Sequence, residues 1–267
     1  MSLSRRRFFG MAAAGLGLSA TPSVWAAPAP TVAERLASVR ADNPLLPALQ
    51  LVGEAVEATG RMDGYEATFI KNELIGRKVL STQMFVKVRH APFSVYMKFV
   101  TPHDGREVIF VEGQNDGKLL AHETGFASLV GTVALAPTER RAMEENRHPI
   151  TSFGLRNLAE GVFTKLLEDA ATGAATVNLF PQSKIGEVAC KTIEINYAKP
   201  TQTRQYQTAR LYVEQATSLP IRIQNYTFAQ RRNEQPPLVE DYFYTAIKTN
   251  VALVAQDFDV NNPRYNY

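Results

Sequence analysis

Residues 84–123, MFVKVRHAPFSVYMKFVTPHDGREVIFVEGQNDGKLLAHE, read as four short strands cut by turn chemistry. Met84, Val86 and Val88 alternate with Phe85, Lys87 and Arg89, the two-residue period of a half-buried strand. Pro92 has no N–H to offer a ladder and ends the first run. Val95, Met97 and Phe99 then alternate with Ser94, Tyr96 and Lys98, and Pro102, Asp104 and Gly105 turn the chain again. Residues 108–111 are continuously apolar, as in a strand covered on both faces. Asn115, Asp116 and Gly117 lead into residues 118–122. Turns recur about every 12 residues, the cadence of an antiparallel meander in a sandwich or barrel.

Outward from this stretch, the chain continues the sheet or covers it. Towards the N-terminus, Tyr65, Ala67 and Phe69 alternate as a first strand, and Gly76 turns it back. Before it, Leu45, Leu46, Leu49, Val52 and Val56 fall at helical spacing, with Asn43 expected as N-cap and Pro44 at the first helical position. A short helix is expected over residues 33–40 within a loosely held arm. Towards the C-terminus, residues 125–136 suit either strand or loop. Helices are expected over 137–146 and 154–169, the second with Leu155, Leu158, Val162, Phe163, Leu166 and Leu167 on one broad face. Strand patterns resume at 175–180, 192–197, 211–214, 221–224 and 239–248. The expected fold is mainly β (α+β). It is a curved antiparallel sheet or half-barrel with an N-terminal helix and two covering helices, as one domain over residues 27–267.

The N-terminus speaks to compartment. Arg5, Arg6 and Arg7 precede Phe8-Phe9, a modest apolar run and the small-residue pattern Val24-Trp25-Ala26. Residues 1–26 read as a cleaved export signal of the twin-arginine type, which places the remaining 241 residues in the periplasm. The apolar run is well short of the ~20 residues that span a bilayer, so no transmembrane segment is expected in the mature chain. The chain carries 29 Lys and Arg and 26 Asp and Glu. Without the three leader arginines the two signs balance, which gives no case for nucleic-acid binding.

Chemistry-bearing motifs are sparse. His90, His103, His122 and His148 form no i,i+4 pair, and no metal-ligand spacing occurs. Ser94 precedes a strand and lies on no nucleophile elbow. Cys190, the sole cysteine, sits in a strand-like run and reads as a packed thiol. Glu107 with Asp241 would make a dispersed, glycosidase-like carboxylate pair that nothing singles out. No catalytic residue, metal or cofactor is therefore expected. The architecture is more informative. One face of the sheet is rich in Val, Ile, Met and Phe with few helices to cover it, and an incompletely filled concavity would be an apolar pocket. Its expected lining is Val86, Val88, Val95, Met97 and Phe99 from the first half of the sheet. Ile193, Ile195, Leu211, Val213, Ile221 and Ile223 join them from the second. Lys87, Arg89, Tyr96 and Lys98 are candidate contacts to an anionic head group, with a solvated outer face as the competing reading.

Several runs carry a resemblance: Arg89-His90-Ala91-Pro92-Phe93-Ser94-Val95-Tyr96, Gly105-Arg106-Glu107-Val108, Asn146-Arg147-His148-Pro149-Ile150, and Asp257-Phe258-Asp259 with Asn262-Pro263. With Asn43-Pro44 and Glu240-Asp241-Tyr242, they resemble a bacterial family named domain of unknown function 1571, whose activity is uncharacterised. Element order is more distantly similar to LolA-like periplasmic lipoprotein carriers. That likeness implies a half-barrel enclosing a lipid cavity under a helical lid, here residues 137–146 and 154–169. The expected function is a soluble periplasmic carrier or binding protein for an apolar ligand, a lipid or the acyl chains of a lipoprotein. The alternatives are an envelope protein-interaction or sensing module of the same fold and, less favoured, a hydrolase.

Overall fold

The alternation of residues 84–123 forms one half of an 11-stranded, wholly antiparallel sheet. The computed structural model describes residues 29–125, 131–202, 204–231 and 234–267. The first meander comprises β1 (Gly64–Ile75), β2 (Lys78–His90), β3 (Phe93–Thr101), β4 (Glu107–Val111), β5 (Leu119–His122) and β6 (Val133–Leu135). The second comprises β7 (Ala175–Ile185), β8 (Val188–Tyr197), β9 (Tyr206–Glu214), β10 (Pro220–Thr227) and β11 (Leu238–Lys248). The two halves meet where β1 pairs with β11, giving the order β6-β5-β4-β3-β2-β1-β11-β10-β9-β8-β7. The sheet is curved and unclosed, with β6 and β7 at its edges. The β7–β8 register breaks between Phe180 and Ser183, around Pro181, which cannot donate to the ladder.

Among the described residues, four α-helices accompany it: α1 (Val32–Leu36), α2 (Leu46–Gly60), α3 (Arg140–Met143) and α4 (Leu155–Thr172). α2 starts later than its sequence suggests. Asn43 and Pro44 are not its cap and first residue; Leu45 flanks the helix, and Pro47 stands in its first turn. A helix beginning at Pro44 would need the amide that Pro47 lacks. Asn43 instead builds the preceding turn, its Oδ1 accepting from the Leu45 amide at 2.9 Å. α3 is four residues long, shorter than the expected 137–146.

α2 buries Leu49, Val52 and Val56, and α4 buries Ala159, Phe163 and Leu166. Both pack on Ile193, Ile195, Leu211 and Val213 of the second meander. α4 is set against the sheet at its first residue. The Tyr65 hydroxyl accepts a 3.0 Å bond from the Leu155 amide. The preceding Gly154 holds φ +106°, where a Cβ would lie 3.2 Å from that hydroxyl. On the opposite face of β2–β4, residues 249–267 cover Ile109 and Val111 with Phe258, Tyr265 and Tyr267. This explains the unbroken apolar run at 108–111: the strand is covered on both sides.

Gly64 opens β1 close against the paired strand β2. A Cβ there would stand 2.5 Å from the Val88 carbonyl oxygen and 3.3 Å from the Arg89 Cα. Both are backbone atoms in a paired strand and neither can step aside. Gly64→Ala is expected to destabilise the protein by about 1–3 kcal/mol, read as a lower urea midpoint at unchanged slope.

Candidate functional site

The inner face of the sheet leaves a cavity of about 540 Å³ between the strands and residues 137–162. The sheet wall is Phe69 on β1, Met84 on β2, Met97 and Phe99 on β3, Ile223 on β10 and Tyr244 on β11. All sit at positions that the two-residue period sends to one face. The facing wall includes Ile150, Phe153 and, from α4, Leu158, Gly161 and Val162. Phe153 stands edge-on to Phe69, ring centroids 5.0 Å apart, so the walls touch through aromatic contacts.

One end of this apolar cavity is polar. The β1–β11 register sets Glu73 directly opposite Glu240, and both carboxylates are fully buried. Glu240 accepts from Arg147 Nε at 2.6 Å, His148 Nε2 at 3.1 Å, the Tyr206 hydroxyl at 2.5 Å and Asn225 Nδ2 at 2.7 Å. Burial alone would push its carboxyl up. The His148 and Tyr206 bonds, the His148 charge and the Asn225 bond outweigh burial and hold it at about 2. Glu73 accepts from the Tyr242 hydroxyl and the Arg147 amide. It also lies 3.2 Å from Lys71 Nζ, which donates in turn to the Glu145 carbonyl at 2.8 Å and Asn146 Oδ1 at 2.6 Å. Residues 145–148 are thereby tied to the two central strands.

The expected lining residues divide by what covers them. Met97, Phe99 and Ile223 border the cavity. Val86, Val88, Val95 and Ile221 point to the same side but are packed into the core beneath it. Ile193, Ile195, Leu211 and Val213 lie under α2 and α4 instead of a cavity, because those helices fill the space above them. The candidate head-group contacts lie away from the cavity. Lys87, Arg89, Tyr96 and Lys98 gather on one face, but it is the opposite one. There Lys87 bonds Asp257 at 2.6 Å, Arg89 lies over the Phe258 ring, Tyr96 donates to Glu107 at 2.8 Å, and Lys98 approaches Glu107 at 3.6 Å. Glu107 and Asp241 form no pair: the first also accepts from the Asn266 amide, and the second is held bidentately by Arg222. Cys190 is buried, and burial pushes its thiol up. Among the described residues no group of His, Cys, Asp and Glu is placed to hold a metal ion. No helix among them is long and apolar enough to cross a membrane.

The polar end was not singled out from sequence, although a signal was present. Lys71 and Glu73 continue the inward parity of Tyr65, Ala67 and Phe69, and Glu240 shares parity with Tyr242 and Tyr244. Charge at an inward position marks a buried network. The network makes stability pH-dependent in two limbs. Glu240, depressed from 4.5 to about 2, contributes stability present above pH 4.5 and lost as pH falls towards 2, about 3 kcal/mol in all. His148 is raised from 6.5 by its bond to Glu240, against burial. Its contribution is full below 6.5 and is lost as pH rises through the folded value. His90 is lowered by burial and has the opposite sign, losing stability as pH falls below 6.5. The His148 limb is therefore read as a difference. The stability gap between wild type and His148→Ala, from urea unfolding at successive pH values, should narrow as pH rises above 6.5. A gap that widened with pH would contradict the assignment.

Comparison with known proteins places the chain. No curated protein matches it. Among solved structures, the Mycobacterium tuberculosis lipoprotein LppX is 14% identical with a TM-score of 0.48, over 78% of this chain and 98% of that one. MucB, in a Pseudomonas aeruginosa MucA/MucB complex, is 13% identical with a TM-score of 0.46, and the match covers 80% of this chain and 60% of that one. A LolA superfamily protein from Nitrosomonas europaea is 13% identical with a TM-score of 0.33, over 79% and 97% of the two chains. The family match includes most of the runs that carried the resemblance. Residues 62–267 match the family described as "Protein of unknown function (DUF1571)", and the chain belongs to that family.

Proposed function

We propose that this protein is a soluble carrier or binding protein of the periplasm that holds a lipid or an acyl chain in the cavity between sheet and α4. The cavity itself carries the reading. Its volume, about 540 Å³, falls within the ~300–1,000 Å³ of small-molecule sites. Away from the polar end its walls are largely Phe, Met, Leu, Ile and Val side chains, so a ligand there gains chiefly by leaving water, about 0.8 kcal/mol per methylene. The charged groups at its polar end are matched with one another, which suits an uncharged chain better than a reacting substrate. On this reading residues 1–26, outside the described residues, are the twin-arginine export signal, and the domain of residues 27–267 is the delivered product. Met97, Phe99 and Ile223 are then ligand contacts.

Mass spectrometry of organic extracts, from protein purified out of its native compartment, tests this directly. A lipid species stoichiometric with protein is the expected result. Met97→Glu and Val162→Glu place a charge on the sheet and helix walls respectively, and each should cut the retained lipid by about tenfold or more while circular dichroism stays native. A clean extract from folded, monodisperse protein would sink the reading and turn attention to a protein partner.

A further inference from the structure

The hairpin that joins β1 to β2 extends past its neighbours in the sheet. Pairing of β1 with β11 stops at Glu73, and pairing of β2 with β3 starts at Gln83. Residues 74–82 therefore have no ladder partner outside the hairpin itself. At about 3.3 Å per residue, the tip reaches roughly 16 Å beyond the last pair with β3. Gly76 makes the turn there with φ +62°. The base is tied to the segment after α3, where Arg147 Nη1 donates to the Leu74 carbonyl at 3.2 Å.

A ribbon surrounded by water gains nothing from apolar side chains. Yet Leu74, Ile75, Val79 and Leu80 gather at this tip, and none of them is buried. None belongs to the hydrophobic clusters that make up the core or packs against them. Val79, 64% exposed, is the most exposed large apolar side chain among the described residues. The pairs Leu74 with Val79 and Ile75 with Lys78 send Leu74 and Val79 to one face, and Ile75 and Leu80 to the other. The tip is thus apolar on both faces. Leu238 of β11, 40% exposed, lies two residues beyond Glu240 at the same end of the sheet.

Arg77 and Lys78 stand between these side chains, and both are exposed. Residues 74–82 contain no acid. Glu73 at the base is buried and engaged by Lys71 and Tyr242. The tip therefore carries two positive charges and no negative one. A protein partner would cover one face, and a stable interface takes about 20–30 residues a side. Two apolar faces with cations between them suit instead a medium that surrounds the tip and is negative at its boundary. We infer that the β1–β2 hairpin docks the protein on an anionic phospholipid surface. Val79 and its apolar neighbours enter the acyl boundary, and Arg77 and Lys78 meet the head-group phosphates at the ends of their long apolar stems. Residues 74–81 do not line the cavity, so docking and ligand holding are separate properties of the chain.

The test is flotation of the purified protein with two kinds of unilamellar vesicle, phosphatidylcholine alone and phosphatidylcholine with phosphatidylglycerol in equal parts. The protein should float with the anionic vesicles, bind the neutral ones far less, and come off as salt is raised. Arg77→Gln combined with Lys78→Gln should weaken binding about thirtyfold, about fivefold for each charge. Val79→Asp should weaken it about tenfold or more. Lys118→Gln, which removes an exposed cation at the far end of β4, should bind as wild type does. Wild-type binding by the double variant, or an equal loss in Lys118→Gln, would overturn the inference. So would a protein that floats with neither vesicle, and the hairpin would then be left to a protein partner. Retained lipid should be unchanged in the double variant, so failure to dock leaves the carrier reading standing, and a clean lipid extract leaves the docking inference standing.

Discussion

Glu240 is an ionised carboxylate shut away from water at the centre of the sheet. An unpaired charge there would cost several kcal/mol. It is sustained because Arg147, His148, Tyr206 and Asn225 all donate to it. Those donors come from three places: the segment after α3, the start of β9 and the middle of β10. The carboxylate therefore fixes where residues 145–148 sit over the β1–β11 seam, and the cavity wall beyond them follows. Without this anchorage the apolar face would have no reason to hold a covering layer at a distance, and collapse onto it would remove more surface from water.

The seam explains why the network stands where it does. Each half of the sheet is a meander of neighbouring strands, which close short loops. β1 and β11 are far apart in the chain, and their pairing, with Glu73 opposite Glu240, joins the two halves of the sheet. With β1 in place, a slip of β11 by one residue would turn Glu240 outward and Asp241 inward, leaving Lys71 and Glu73 without their partner across the seam. The buried network thus specifies register as well as lid position, a use of buried polar groups that apolar packing cannot replace as cleanly.

The strands were legible because period-two alternation is a local signal. Met84, Val86 and Val88 declare their face within five residues. The same alternation cannot say what lies above that face. Ile193 and Leu211 read like Met97, yet two are roofed by helices and one by a cavity. The difference depends on where α2 and α4 dock, which is set by distant contacts. The cluster of Lys71, Asn146, Arg147 and Glu240 was harder still, since Lys71 and Asn146 are 75 residues apart and Arg147 and Glu240 are 93 apart. The outer-face cations Lys87 and Arg89 misled for a related reason. Their partners Asp257 and Phe258 lie near the far end of the chain, and a cation seen alone in sequence looks available.

The open sheet has one more implication. An 11-stranded sheet that does not close presents two unpaired edges, and an exposed edge invites another chain to add a strand. β7 is such an edge, 11 residues long, with Leu179 and Phe180 exposed. Pro181 interrupts it beside them, and Lys184 places a charge further along. Proline and lysine both discourage edge pairing. The unclosed sheet can therefore coexist with a high local concentration of the protein, since growth of sheet upon sheet is checked at this edge.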